Sequence, residues 1–415
     1  YRSFAVLPVN PANSWSVIQQ PITAQYGSST GAVSIPLITN MVYNSTISGL
    51  ITVPSSNGSI VNGSITYNST TVALYLPILD YSLISYTVPG SYTLPIAYAS
   101  GTQYASTINF SYSILSVSKP SFTFTFTNMG ATGATGPTTI SYSSSSIPGI
   151  IYLSNGIQYW IVPWTGSYNF TVAGAGMTNP GSNNSIKTSY GMVLSTSYSL
   201  SRGQVIAILV GQQGNIVSVN NNASGCGGTF VAIVSNIGPL TYASALFVAG
   251  GGGGPGPQSN DGSNSTVNAV NTPKGQDGGP NGGGGIGGTG PSNAGAARAL
   301  RADGGAGFSG YGQLNLYANV VNGESATAAT PFIYGGQGGS GYYQGQLSSY
   351  GGFGGGGAAN PNLSWYGGGG GGGYGGGGGG ATSSRGGGGG GGGSYDITGL
   401  ATTNYNDGMG YVTIS

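Results

Sequence analysis

Eight consecutive glycines, Gly386 to Gly393, close a series of runs that includes Gly250 to Gly254, Gly282 to Gly285, Gly367 to Gly373 and Gly375 to Gly380. Such runs build neither an ordinary helix nor a side-chain core, so they are either flexible coil or main chain packed on main chain. A linker has no use for Tyr350, Phe353, Trp365, Tyr366, Tyr374 and Tyr395 set between the runs. The ordered alternative is a bundle of polyproline-II-type helices with three residues per turn. Without Cβ atoms, such helices approach closely enough to pair N–H with C=O across neighbours and to add Cα–H···O contacts. Ordering glycine is entropically costly, so only a bundle that pairs nearly every backbone group can hold.

Charge narrows the function. Only 4% of the 415 residues are Asp, Glu, Lys or Arg, against about 25% in ordinary domains. With a net charge of +1 and no basic cluster, the chain carries no electrostatic footprint for nucleic acid or for an anionic membrane surface. No run of apolar residues is long enough to span a bilayer. The absence of histidine removes imidazole catalysis and imidazole metal sites. The acidic residues Asp80, Asp261, Asp277, Asp303, Glu324, Asp396 and Asp407 form no spaced pair suited to general acid/base work. Asp261, Asp277 and Asp303 match no calcium loop, and no Gly-x-x-x-x-Gly-Lys-Ser/Thr phosphate cradle occurs. The expectation is a protein without catalytic activity, metal or cofactor. The one cysteine, Cys226 in Ser-Gly-Cys-Gly-Gly-Thr-Phe, reads as a small buried residue in a tight turn, since a reactive thiolate needs a base nearby. A single cysteine makes no intrachain disulfide.

The chain begins at Tyr1, which reads as a mature product. Residues 1–26 form an extended segment, with Phe4, Val6 and Leu7, then Trp15 and Val17, as strand-like apolar positions between Pro8, Pro11 and Pro21. Such a terminal strand can pair within its own domain or with another molecule. Residues 27–118 read as a β-sandwich, with strands such as Ser34 to Ile38, Thr71 to Leu76, Ser91 to Ile96 and Thr107 to Ile114 between turn residues. Residues 119–249 carry a second β series, including Phe122 to Phe126, Gln158 to Val162, Ser167 to Val172, Val205 to Val210 and Thr229 to Ile233. The fragment Gly130 to Pro137 has a collagen-like period but is far too short for a triple helix. A glycine-rich insertion over 250–409 then leaves and returns to this second domain, which residues 410–415 close with a last strand.

The order Val162-Pro163-Trp164-Thr165-Gly166-Ser167-Tyr168, Val172-Ala173-Gly174-Ala175-Gly176, Leu200-Ser201-Arg202-Gly203-Gln204 and Leu209-Val210-Gly211-Gln212-Gln213-Gly214 resembles the glycine-rich domain of anaplastic lymphoma kinase-type receptors. Gly227-Gly228-Thr229-Phe230-Val231, Phe247 to Gly252, Gly393-Ser394-Tyr395 and Gly410-Tyr411-Val412 continue the resemblance, which covers roughly residues 138–415. It implies an all-β fold, a jelly-roll-like β-sandwich carrying a polyglycine-II helix bundle. Similar bundles occur at the tips of phage tail adhesins. Signalling is not implied, because no kinase or membrane span is present, and Cys226 stands where the pattern usually continues with glycine.

Asn-x-Ser/Thr sequons fall at Asn44, Asn57, Asn62, Asn68, Asn109, Asn169, Asn183, Asn222, Asn264 and Asn362. Their concentration before residue 119 suggests that attached sugar solubilises a nearly uncharged first domain. Two functional expectations follow. One is the structural subunit of an extracellular filament, a homopolymer in which residues 1–26 complete a neighbour's sheet through Phe4, Val6, Leu7, Trp15 or Val17. The other is a tip adhesin or ligand-binding module, at a cell or virion surface, that presents Tyr342, Tyr343, Trp365, Tyr366 and Tyr374 to a protein or glycan. The same aromatics could instead cover the outside of the bundle.

Overall fold

The computed structural model describes six strands within residues 32–114 and, from residue 121 onward, all but 143–149, 180–186, 218–221, 239, 241, 257–266, 280–285, 293–301, 315–326, 344–345, 361–366 and 381–386. The chain divides into two units, Tyr1–Pro120 and Ser121–Ser415, and among the described residues the regular elements of both are β-strands, apart from one short 3-10 turn at Phe332–Tyr334. The proposed donor positions Phe4, Val6, Leu7, Trp15 and Val17 lie outside the described residues.

In the first unit, Ala32–Ile38, Thr71–Pro77, Ile60–Asn68 and Leu50–Pro54 pair antiparallel in that order. Gly90–Ser100 and Tyr104–Ile114 form a long hairpin with Leu94 opposite Phe110. Proline placement agrees with this topology. Pro36 is on an edge strand and Pro95 on a two-stranded ribbon, positions where a missing N–H need not break a ladder.

The second unit is a sandwich of two antiparallel sheets. One runs Thr402–Asn406, Gly191–Leu200, Gly166–Ala173, Tyr411–Ile414, Phe124–Phe126; the other runs Tyr395–Asp396, Ser244–Ala249, Thr229–Val234, Val205–Leu209, Ile157–Ile161, Ile150–Ser154. Alternation sends Tyr168, Phe170 and Val172 inward while Ser167 and Asn169 face water. Between the sheets lie Phe126, Trp160, Phe170, Ile208, Val231, Phe247 and Val412. Trp160 meets Tyr168 edge-on at 5.5 Å, and the Tyr168 hydroxyl donates to the Trp164 carbonyl at 2.6 Å. Burial pushes the Tyr168 phenol up to about 12, against which that hydrogen bond works.

The six-stranded sheet is buried on both faces. Ile206 and Ile208 point into the sandwich, while Ala207, Leu209, Phe230, Ala232 and Val248 pack beneath Phe308, Phe332 and Phe353 from the glycine-rich region. Phe230 and Phe332 stack at 5.1 Å with 12° between ring planes. A sheet covered on both sides has no use for polar alternation, which is why Val205 to Val210 reads as an unbroken apolar run.

The last strand, Tyr411–Ile414, lies inside the five-stranded sheet, between Gly166–Ala173 and Phe124–Phe126. The glycine-rich excursion, however, returns earlier than residue 409. Tyr395–Asp396 already pairs with Phe247 and Val248, and Thr402–Asn406 pairs with Gly191 to Ser195. Thr402–Asn406 is an edge strand whose residues are mostly exposed on both faces, so it carries no period-two apolar signal.

Candidate functional site

Gly367–Gly373 is the centre of the glycine-rich region, and its bonding follows a rule. Gly368, Gly371 and Tyr374 donate to Gly387, Gly390 and Gly393; Gly369 and Gly372 donate to Ala223 and Cys226; Gly370 and Gly373 donate to Asp303 and Ala306. In return, Gly380 and Gly377 donate to Gly368 and Gly371, Gly254 and Gly251 to Gly369 and Gly372, and Asn360 and Gly357 to Gly367 and Gly370. The run therefore has three parallel neighbours that accept from it and three antiparallel neighbours that donate to it, each engaged at every third residue. The glycines of this run and of 250–254, 375–380 and 387–393 are buried throughout, apart from Gly387 at the start of the last run, which is partly buried. None of them has a positive φ. A Cβ on Gly370 would collide with the Gly377 carbonyl, and one on Gly371 with the Gly251 carbonyl. Glycine is required here by the approach of neighbouring main chains.

Segments that are not glycine runs join the same lattice. Ala223 and Cys226 donate to Pro255 and Gly252, Ser224 and Gly227 to Asn215 and Gln212, and Gly225 and Gly228 to Gly357 and Gly354. Cys226 is fully buried, as its sequence context suggested, but the tight turn is corrected: the segment is extended and bonds outward in three directions. Burial pushes its thiol up to about 12, which disfavours the thiolate that a nucleophile needs. The collagen-like fragment also serves this lattice, since the Gly133 and Ala134 carbonyls accept from Phe353 and Gly338.

The same bonds give the region a direction. Gly254, Asn360 and Gly380 lie beside Gly367 to Gly369, and Gly279 lies beside Gly388. The described ends that flank 257–266, 280–285, 361–366 and 381–386 thus gather at one end. At the other, the lattice meets the six-stranded sheet through Tyr374, stacked on Tyr395 at 4.4 Å and 12°.

Of the aromatic candidates, Tyr374 is half-buried against Phe308 and the outer core, so it serves packing. Burial first, then the neighbouring Tyr395, pushes its phenol up. Tyr342 and Tyr343 lie on the strand Ser340–Tyr343, opposite Leu347 and Gln346 and just past a register shift. Trp365 and Tyr366 lie outside the described residues. An exposed pair that the sequence did not suggest is Tyr311 and Tyr334, stacked at 5.4 Å with 20° between planes. They are 52% and 61% exposed, and no periodicity marks two tyrosines this far apart in a glycine background.

Among the sequons, Asn222 is corrected. It is fully buried, its amide donates to the Asn360 carbonyl at 3.2 Å, and the sequon's Ser224 bonds Asn215 and Ala359. A glycan cannot occupy that space. Asn169 is exposed on the outer face of the five-stranded sheet. Asn62, Asn68 and Asn109 lie on strands of the first unit, and Asn44, Asn57, Asn183, Asn264 and Asn362 lie outside the described residues. Of the acidic residues, Asp277 pairs with Lys274 at 3.9 Å and accepts from the Gly287 amide. Asp303 is buried, and Asp396 holds a turn. Asp80, Asp261 and Glu324 lie outside the described residues.

Two of the motif blocks quoted above, Val162 to Tyr168 and Leu200 to Gln204, meet at one corner of the sandwich. Val162 donates to Gln204 and receives from Gly203, while Arg202 donates its amide to the Thr165 hydroxyl. Burial lowers the Arg202 guanidinium to about 9.

No family model matches the chain. Over 96 residues it is 36% identical to the Leukocyte tyrosine kinase receptor of Mus musculus, covering 21% of this chain and 11% of that protein. The chain therefore spans a small part of the length of this relative. The match gives distant support to the resemblance to an anaplastic lymphoma kinase-type glycine-rich domain, and it is compatible with an extracellular location.

Proposed function

We propose that this chain is a non-catalytic, extracellular structural subunit whose glycine-rich region is a rigid polyglycine-II bundle, and that copies of it polymerise into a surface filament by donating residues 1–26 to a neighbour. The single observation behind the rigid scaffold is the bonding of Gly367–Gly373 to six neighbours at every third residue, the period expected of three residues per turn. A filament subunit must transmit force without deforming, and a lattice that uses main-chain bonds in several directions resists bending as well as stretching. The low charge suits close contact between copies, since little charge has to be desolvated. β-strand donation gives a head-to-tail contact that does not close on itself. Electron micrographs of the native material should show long repeating fibres, and removing residues 1–26 should leave single subunits; fibres that survive the truncation refute donation.

A second reading, recognition at an appendage tip, is favoured by one observation: the described ends flanking 257–266, 280–285, 361–366 and 381–386 gather at the end of the bundle away from the six-stranded sheet. In this reading the aromatic candidates Trp365 and Tyr366 bind a surface protein or glycan. Substituting both by alanine should abolish attachment while leaving assembly intact.

A further inference from the structure

Gly191–Leu200 is ten residues long and pairs on one side with Gly166–Ala173 from Val193 to Leu200. On its other side, Thr402–Asn406 covers only Gly191 to Ser195. Among the described residues, Thr196 to Leu200 has no strand partner on that side. Its open N–H and C=O groups are a template for another strand.

The seam beside this edge is apolar. Phe170 opposite Thr196 and Tyr168 opposite Tyr198 fix Thr196, Tyr198 and Leu200 on the inner face. Tyr198 is partly buried and meets Phe247 edge-on at 6.1 Å. Between the two sheets at this edge runs the turn Asp396 to Ala401, in which the Asp396 carboxylate accepts from the amides of Thr398, Leu400 and Ala401 and from the Thr398 hydroxyl. Ile397 bonds back to the Leu246 carbonyl, and Thr398 reaches Thr196 at 3.1 Å. This clamped turn presents Ile397 and Leu400 to water, 44% and 81% exposed. Apolar groups pre-ordered in this way cost little to bury against a partner.

We infer that this edge is the acceptor for residues Arg2 to Val6 of a second copy, added antiparallel as a sixth strand; the inference rests on the donor-strand reading above. Five residues fill a five-residue gap, and Pro8, which has no N–H, falls just beyond it. In the antiparallel register that pairs Arg2 with Leu200, Phe4 meets Tyr198 and Val6 meets Thr196 on the inner face, while Ala5 meets Ser197 on the outer face. Leu7 then continues toward Leu400.

The test mixes two full-length proteins with different mass tags, one Ala5→Cys and the other Ser197→Cys, under oxidising conditions. Cys226 is fully buried and stays out of the reaction. The expected product is a disulfide-linked pair carrying both tags, and Leu400→Asp, which changes an exposed side chain, should lower polymer yield at least about tenfold with an unchanged circular dichroism spectrum. Cross-linking from Ser16→Cys instead of Ala5→Cys overturns the assigned segment, and when Ala5→Cys and Ser197→Cys are combined in a single protein, a disulfide that forms only within one chain overturns the intermolecular contact. If truncating residues 1–26 abolishes polymer but neither the cross-link nor the Leu400 effect is seen, this acceptor is wrong and donation itself survives. Polymer that persists without residues 1–26 removes both.

Discussion

The sandwich interior and the glycine lattice are equally closed to water, yet Trp160, Phe170 and Phe247 fill one with side chains while the other, around Gly370, holds little besides main chain. The first is stabilised by apolar area, which grows with each methylene buried. The second is stabilised by pairing peptide groups across neighbouring main chains at a spacing that only hydrogen atoms on Cα allow. The difference is one of tolerance. A side-chain core relaxes around a lost methyl group, whereas the lattice has no side chain to move when a methyl group is added.

One methylene in each region should break the symmetry most visibly. Gly370→Ala places a Cβ against the Gly377 carbonyl and disturbs bonds to Asp303 and from Gly357. Its cost should be about 4 kcal/mol, in the range kept for strained or unsatisfied interiors. Ile208→Val removes a methylene between the sheets and should cost about 1 kcal/mol. Denaturant unfolding of both variants measures the contrast. Equal costs would mean that the lattice gives way locally and is not a rigid body.

Amide exchange sharpens the same comparison within one molecule. The amides of Gly368 to Gly373, all bonded across the lattice, should exchange as slowly as those of Val205–Leu209. The amides of the exposed edge strand Thr402–Asn406 should exchange orders of magnitude faster. Protection that is weak across Gly367–Gly373 and strong in Val205–Leu209 would show a floppy insertion on a stable sandwich.

How far this was written in the sequence differs between the regions in the same way. Side-chain alternation at Ser167 to Val172 and the apolar run at Val205 to Val210 mark the sheets directly, because side chains do the packing. The glycine runs announce close main-chain contact, but the identity of each neighbour depends on the three-residue register, to which glycine contributes no side-chain signal. Ser224 to Phe230 therefore reads as a tight turn around Cys226, though Ser224 to Gly228 bonds into the lattice, and Asn222 reads as a glycan site, though it is interior. The Tyr311–Tyr334 pair and the open edge at Thr196 to Leu200 are products of topology. No local pattern in the sequence encodes either.

Alkaline pH probes one titratable group in each region. The Cys226 thiol, in the lattice, and the Tyr168 phenol, in the sandwich, are both pushed up to about 12 by burial. Each is neutral when protonated, and its folded pKa lies above its unfolded value. The unfolded chain therefore loses its proton first, so their contribution is complete below the unfolded values and falls as pH rises toward 12. Onset should come near pH 9 from Cys226, whose ordinary value is 9.0, and near pH 10 from Tyr168, whose ordinary value is 10.0. Cys226→Ala should delay the decline and Tyr168→Phe should flatten its later part, as followed by melting temperature against pH. With no histidine in the chain, no imidazole titration contributes between pH 5 and 8.

The smallest expected effect lies where the two regions meet. Tyr374 belongs to the lattice through its amide bond to Gly393, Tyr395 belongs to the six-stranded sheet, and their rings stack at 4.4 Å. Aromatic pairs of this kind contribute about 0.5–1.5 kcal/mol beyond buried area. A double-mutant cycle of Tyr374→Leu and Tyr395→Leu should return a coupling of about 1 kcal/mol if lattice and sandwich unfold as one cooperative unit. If the lattice opens on its own before the sandwich, the stacked pair is already broken when the sheets come apart. The coupling would then appear only in the first transition, and the two ways of excluding water would prove to be separable.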